Sequence, residues 1–195
     1  MKNLLITGFE PFGGESINPS WDSVDMLPEE INGYKLTKLR LPVVFGEAAE
    51  KTLSVASETD PDVILCIGQA GGRAAVTPEL VGINLRHASI PDNSGKKPLD
   101  EPISKSGETA YFSTLPVRKI ADAVKNADIP AAVSYSAGAY VCNDLLYTLL
   151  ERYKDTKTRV GFIHIPYSKD QNKEPSMEIE QIVKALTVAI ENLDD

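Results

Sequence analysis

Residues able to carry chemistry are scarce in this chain, and each scarcity narrows the reading. Two cysteines, Cys66 and Cys142, are too few for a disulfide scaffold and fit a reducing cytoplasm. Two histidines, His87 and His164, stand at wide, irregular spacing from those cysteines, which matches no zinc pattern. Lys and Arg form no cluster and the formal net charge is −8, so a nucleic-acid surface is not expected. No apolar run approaches the roughly 20 residues that span a bilayer, so no membrane partner is expected. The N-terminal MKNLLITGFEPFGG lacks a long apolar core and a small-residue cleavage site, and reads as a first strand rather than a signal peptide. The glycines of GFEPFGG and GQAGG fit neither phosphate-loop pattern, leaving little support for nucleotide binding.

What remains is ordinary globular composition, 42% hydrophobic and 25% charged, over 195 residues. That length suits one domain, 1–195. The pattern alternates strand and helix. LLIT from Leu4, Asp62–Gly68 and Val160–Ile165 are apolar runs expected of strands covered on both faces, and Tyr34–Leu41 is a strand by alternation. Val81–Ile90 predicts one or two more, and AAVS from Ala131 a short buried one. Helical spacing marks Trp21–Leu27 (capped by Ser20), Phe45–Ser57, Pro116–Asn126, Tyr140–Tyr153 and Ser176–Leu193. Ser94–Glu108 reads as a long surface loop. The expected fold is α/β, a single three-layer α/β/α sandwich with a mostly parallel or mixed central sheet.

Within that frame SYSAGAYVCN, Ser134–Asn143, is the most informative stretch. It sets Cys142 in the first turn of a helix, among free N–H groups at the positive dipole end, where thiolate is favoured over thiol. On its own the position fits a small buried core cysteine better than a nucleophile, because free cysteines are among the most buried residues. His164 closes an apolar strand and is the available base; adjacent parallel strands would bring it to the same sheet edge as Cys142. Glu79 opens the segment after the 62–68 strand and is a candidate to orient the imidazole. Asp144 reads as a solvated helix residue, His87 as a surface residue and Cys66 as buried and inert.

The ordered motifs TGFEPFGG at Thr7, GQAGGR at Gly68, TPE at Thr77, IPDN at Ile90, SYSAGAYVCN at Ser134 and HIPY at His164 cover nearly the whole chain. In these the chain resembles pyroglutamyl peptidase I, a family of cytosolic cysteine peptidases that remove N-terminal pyroglutamyl residues from peptides. The resemblance implies Cys142 as nucleophile, His164 as base and Glu79 as its orienter. It implies a lactam pocket built from Phe9, Phe12, Asn18, Gln69, Ile90 and Val141, with no cofactor, and assembly as a homo-oligomer, a dimer or tetramer. Three positions depart from the family pattern: Leu80 where Arg or Lys is usual, Ser89 where Arg is common, and Asp144 where His is frequent. They make the site less electropositive, which disfavours a thiolate. The alternative expectation is therefore a pyroglutamyl- or lactam-binding protein with weak or lost catalysis.

Overall fold

The structure is a computed structural model and describes residues 1–194. Ten strands and five helices follow one another as β1 (Lys2–Phe9), α1 (Pro19–Asp25), β2 (Glu30–Ile31), β3 (Tyr34–Leu41), α2 (Glu47–Thr59), β4 (Val63–Gln69), β5 (Thr77–Pro78), β6 (Val81–Ile83), β7 (Ala110–Phe112), α3 (Val117–Asn126), α4 (Val141–Tyr153), β8 (Arg159–Ile165), β9 (Tyr167–Ser168), β10 (Ser176–Met177) and α5 (Ile179–Glu191). The main sheet has six strands in the order β2-β3-β1-β4-β8-β5. Its four long strands run parallel, while short β2 and β5 pair antiparallel at the edges. Parallel strands buried on both faces need apolar side chains in both directions. That is why KNLLITGF, VILCIGQ and RVGFIHI are near-continuous apolar runs.

Each face of the sheet carries a helical layer, as the expected sandwich requires. One core joins Leu4, Ile6, Leu65 and Ile163 to Val24 of α1, Ile120 and Val124 of α3, and Ile182, Leu186 and Ile190 of α5. The other joins Leu5, Ile64, Cys66 and Phe162 to Ala48 and Ala49 of α2 and to Leu145, Leu146 and Leu149 of α4. The buried residues of α5 fall at 182, 185, 186, 189 and 190, the spacing of one helical face. Truncating such a leucine to alanine costs about 2–5 kcal/mol. No described helix is long and apolar enough to cross a membrane.

Three local expectations are corrected, and a fourth, one or two strands over Val81–Ile90, resolves to one. Residues 131–134 form no strand; they make only isolated parallel bridges, Ala131 to Val76 and Ser134 to Glu79. Val81–Ile90 supplies one short strand, β6, which pairs with β7 in a separate sheet; Arg86 then bridges to Glu101 in the long loop. The cap of α1 is Asn18, whose side chain accepts from the Ser20 N–H, with Pro19 filling the first helical position that needs no N–H donor. Ser176–Met177 pairs with β9 as a strand, so α5 begins only at Ile179.

Candidate active site

Cys142 is the second residue of α4, whose cap Tyr140 is extended (φ −85°, ψ −166°). A loop rather than a strand therefore delivers it to the helix, turning at Gly138, whose φ of +76° lies in the left-handed region. The first backbone bond of the helix runs from the Asp144 N–H to the Tyr140 carbonyl. Among the described residues, the N–H groups of Val141, Cys142 and Asn143 have no backbone acceptor, the condition that makes a helix start attractive to developing negative charge.

His164 sits near the C-terminal end of β8, paired in register with Gly68 of β4 and Thr77 of β5. Glu79 follows β5, its N–H donating to the Phe162 carbonyl at 2.9 Å. The antiparallel edge strand β5 thus carries the carboxylate to the imidazole. Glu79 Oε1 lies 2.6 Å from His164 Nδ1, and both side chains are almost completely buried. The carboxylate acceptor fixes the proton on Nδ1 and leaves Nε2 as the basic nitrogen. The Phe162 ring packs beside the imidazole with centroids 4.7 Å apart.

Arg73, which the sequence reading did not single out, donates from Nη1 to the same Glu79 oxygen at 2.7 Å. Burial alone would raise the Glu79 carboxyl, but the His164 hydrogen bond and charge, with Arg73, hold it below the usual carboxylate range. Burial lowers His164 below its ordinary value; Glu79 opposes this and the Arg73 charge assists it. Burial, with the Glu79 charge adding, pushes the Cys142 thiol up to about 12, against the pull of Arg73 and of its own backbone N–H. Burial thus works against the thiolate that the helix start favours, although Cys142 is only half-buried on the cavity wall.

Cys142 and His164 open on one cavity of about 270 Å³, near the lower end of small-molecule sites (roughly 300–1,000 Å³). Five of the six expected pocket residues line it: Phe9, Phe12, Asn18, Gln69 and Val141. Ile90 does not; it is exposed and borders an adjoining groove together with His87, Ser89 and Tyr167. Val43, Ala137 and Tyr140 complete the apolar wall; the last two lie within SYSAGAYVCN, whereas no motif pointed to Val43. Tyr140 is held by its hydroxyl, which donates to the Pro91 carbonyl at 3.0 Å, and by the edge of Phe45 at 5.3 Å. The Asn18 carbonyl oxygen is occupied by Ser20, and the Gln69 carbonyl oxygen accepts from Gln171 at 2.9 Å. The Asn18 amide nitrogen donates to the Glu10 carbonyl at 2.9 Å, so this side chain is held at both ends, while the Gln69 amide has its oxygen engaged and its nitrogen without a protein acceptor among the described residues. No three His, Cys, Asp or Glu side chains gather as a metal site among the described residues.

The pyroglutamyl peptidase family model matches residues 2–194. The chain belongs to the pyroglutamyl peptidase family. A pyrrolidone-carboxylate peptidase of Brevibacillus brevis is 48% identical over 198 residues, covering 98% of this chain and 92% of that one. One from Thermococcus onnurineus is also 48% identical, over 96% of each chain. The crystal structure of Bacillus amyloliquefaciens pyroglutamyl peptidase I superposes with a TM-score of 0.94 at 42% identity, covering 99% of this chain and 97% of that one.

Departures from the family pattern look different in three dimensions. Asp144 is not solvated. It is fully buried, accepting from Arg86 Nε at 2.6 Å and from the Gly46 N–H at 2.8 Å. Its charge is thus matched by a guanidinium and does not stand free beside the thiol. The Leu80 backbone N–H bonds to the Ser134 carbonyl at 2.8 Å, helping to hold the loop that leads to Cys142. His87, exposed as expected, pairs with Asp100 at 2.8 Å. Cys66 is buried, and burial pushes its thiol up to about 12, in keeping with an inert residue.

Proposed function

We propose that the chain is a cysteine exopeptidase that removes the N-terminal pyroglutamyl residue from peptides, with Cys142 as nucleophile, His164 as general base and acid, and Glu79 as orienter. One observation carries this reading: Cys142 and His164 border the same small, mostly apolar cavity, with His164 held through Nδ1 by a buried Glu79. A flat, neutral five-membered lactam suits the walls offered by Phe9, Phe12 and Val141, and its ring amide suits the polar side chain of Gln69 on the same wall.

Starting from a neutral thiol, the Cys142 proton passes to His164 Nε2 as the sulfur attacks the carbonyl carbon that links the lactam to the peptide. The unpaired N–H groups of Val141, Cys142 and Asn143 are the donors available to the resulting oxyanion. His164 returns its proton to the leaving amine as the C–N bond breaks, leaving a thioester. It then takes a proton from water as the water oxygen attacks the thioester carbonyl; the C–S bond breaks, pyroglutamate leaves, and His164 returns that proton to the Cys142 sulfur.

The test is fluorophore release from a pyroglutamyl amide. Cys142→Ser is expected to cut kcat by about 10⁴ or more, and undiminished turnover in that variant would remove Cys142 from the role. A prolyl amide, which lacks the ring carbonyl, is expected to be rejected. The alternative of a lactam-binding protein without turnover was motivated by Leu80, Ser89 and Asp144, and loses the last of these motives because Arg86 pairs with Asp144. The reading extends to a single catalytic domain acting in the cytoplasm, supported by two unbridged cysteines, and to a homo-oligomer, for which exposed Leu99, Phe112 and Tyr135 offer apolar surface. Sedimentation equilibrium tests the oligomer.

A further inference from the structure

We propose that Arg73 is a positioning residue for this reaction, clamping Glu79 behind His164 and tying that pair to the loop that delivers Cys142. The proposal rests on the peptidase reading above. Arg73 Nη1 is shared among Glu79 Oε1 at 2.7 Å, Thr77 Oγ1 at 2.7 Å and Ser134 Oγ at 3.2 Å. Its Nη2 donates to the Ser136 carbonyl at 2.9 Å. Two segments are thereby pinned by one side chain. Residues 77–79 carry the carboxylate, and residues 134–136 open the loop that ends at the nucleophile. A planar guanidinium spans both at once; a lysine ammonium is a point charge and does not.

The same oxygen of Glu79 receives Arg73 and His164. The Glu79 side chain is wholly buried while that of Arg73 is 31% exposed, so a carboxylate with no direct access to water is compensated by a cation reaching in from the cavity wall. The charged and titratable groups around His164 are Glu79 after β5, Arg73 from the loop after β4, and Cys142 on α4. Glu79 favours the imidazolium. Burial is the main force that disfavours it, and the Arg73 charge adds to burial in keeping the imidazole ready to accept the thiol proton.

The experiment compares Arg73→Met and Arg73→Lys with wild type in the intact protein. It follows kcat and KM on a pyroglutamyl amide and the His164 titration by NMR. Arg73→Met is expected to lose about 10²-fold in kcat, as a misplaced catalytic group does, with KM little changed and the His164 midpoint moved to higher pH. Arg73→Lys keeps the charge, so the midpoint stays near wild type while kcat recovers only in part. An unmoved midpoint in Arg73→Met, or a loss wholly in KM, would overturn the proposal; the second would make Arg73 a substrate contact. If Arg73→Met does not fold, Arg73→Lys decides. Wild-type kcat there overturns the need for the fork, and a reduced kcat with an unmoved midpoint supports it. A wild type that leaves pyroglutamyl amides intact would defeat the peptidase reading alone, because the His164 titration needs no substrate.

Discussion

Gly68 leaves the space that the sulfur of Cys142 occupies. A Cβ built on Gly68 would stand 3.0 Å from Cys142 Sγ, and 2.6 and 2.9 Å from two ring carbons of Phe162. Gly68 also faces His164 across β4 and β8. The first glycine of GQAGGR therefore serves close packing of nucleophile, base and sheet, where a phosphate loop had been the only other use considered for it.

Gly68→Ala follows directly from that crowding. Forcing a methyl between Phe162 and the thiol is expected to cost about 1–3 kcal/mol of stability and to lower kcat by displacing Cys142. Chemical denaturation and steady-state kinetics check the two effects. A variant with wild-type stability and kcat would mean that the strand relaxes without disturbing the site.

The pH behaviour follows from burial. In the proposed mechanism a neutral His164 acts as base, and burial holds its pKa below the ordinary value of 6.5, so activity is expected on an alkaline plateau whose acid limb falls below pH 6.5. Stability carries the same sign. The unfolded imidazole takes up a proton near 6.5 while the buried one resists, so stability is full above that pH and is lost as pH falls from there through the folded value. At the other end, a Cys142 thiol near 12 against an ordinary value of 9.0 means that stability is lost as pH rises above 9. Alkylation of Cys142 by iodoacetamide is expected to keep accelerating up to pH 9 and beyond, without a plateau. A plateau below pH 8 would reveal a preformed thiolate–imidazolium pair instead.

Asp144 and Arg86 give an asymmetric pair of variants. Arg86→Met strands a fully buried carboxylate, leaving it only the Gly46 N–H, and is expected to cost about 3 kcal/mol. Asp144→Asn leaves a guanidinium that is 26% exposed and can rehydrate, so it is expected to cost clearly less. Thermal melting of the two variants checks the order, and the reverse order would mean that the pair is not the anchor of this part of α4.

Much of this was legible in the chain. The long strands read as apolar runs because parallel strands are covered on both faces. The helices read through their spacing, and Cys142, His164 and Glu79 through ordered motifs. Arg73 was not legible, because one arginine in a glycine-rich loop looks like any solvated residue until its carboxylate partner is placed. Asp144 read as solvated for the converse reason: Arg86, its partner, is 58 positions away in sequence. Ile90 was expected in the lactam wall, yet the irregular path of residues 84–109, set by contacts such as the Arg86–Glu101 bridge, puts it in the neighbouring groove.

The sequence by itself determined the layered α/β architecture and the placement of Cys142 at a helix start, because these depend on periodicity and local order; His164 and Glu79 came forward as its partners through the resemblance of their motifs to the family. Only the tertiary structure decided what surrounds the sulfur. A helix start favours thiolate by local geometry, but desolvation depends on long-range packing, and here Cys142 lies half-buried on the cavity wall beside Gly68 of β4, where burial pushes its thiol up. The local sequence supplies the dipole and the distant strands supply the burial, and the two pull the thiol in opposite directions.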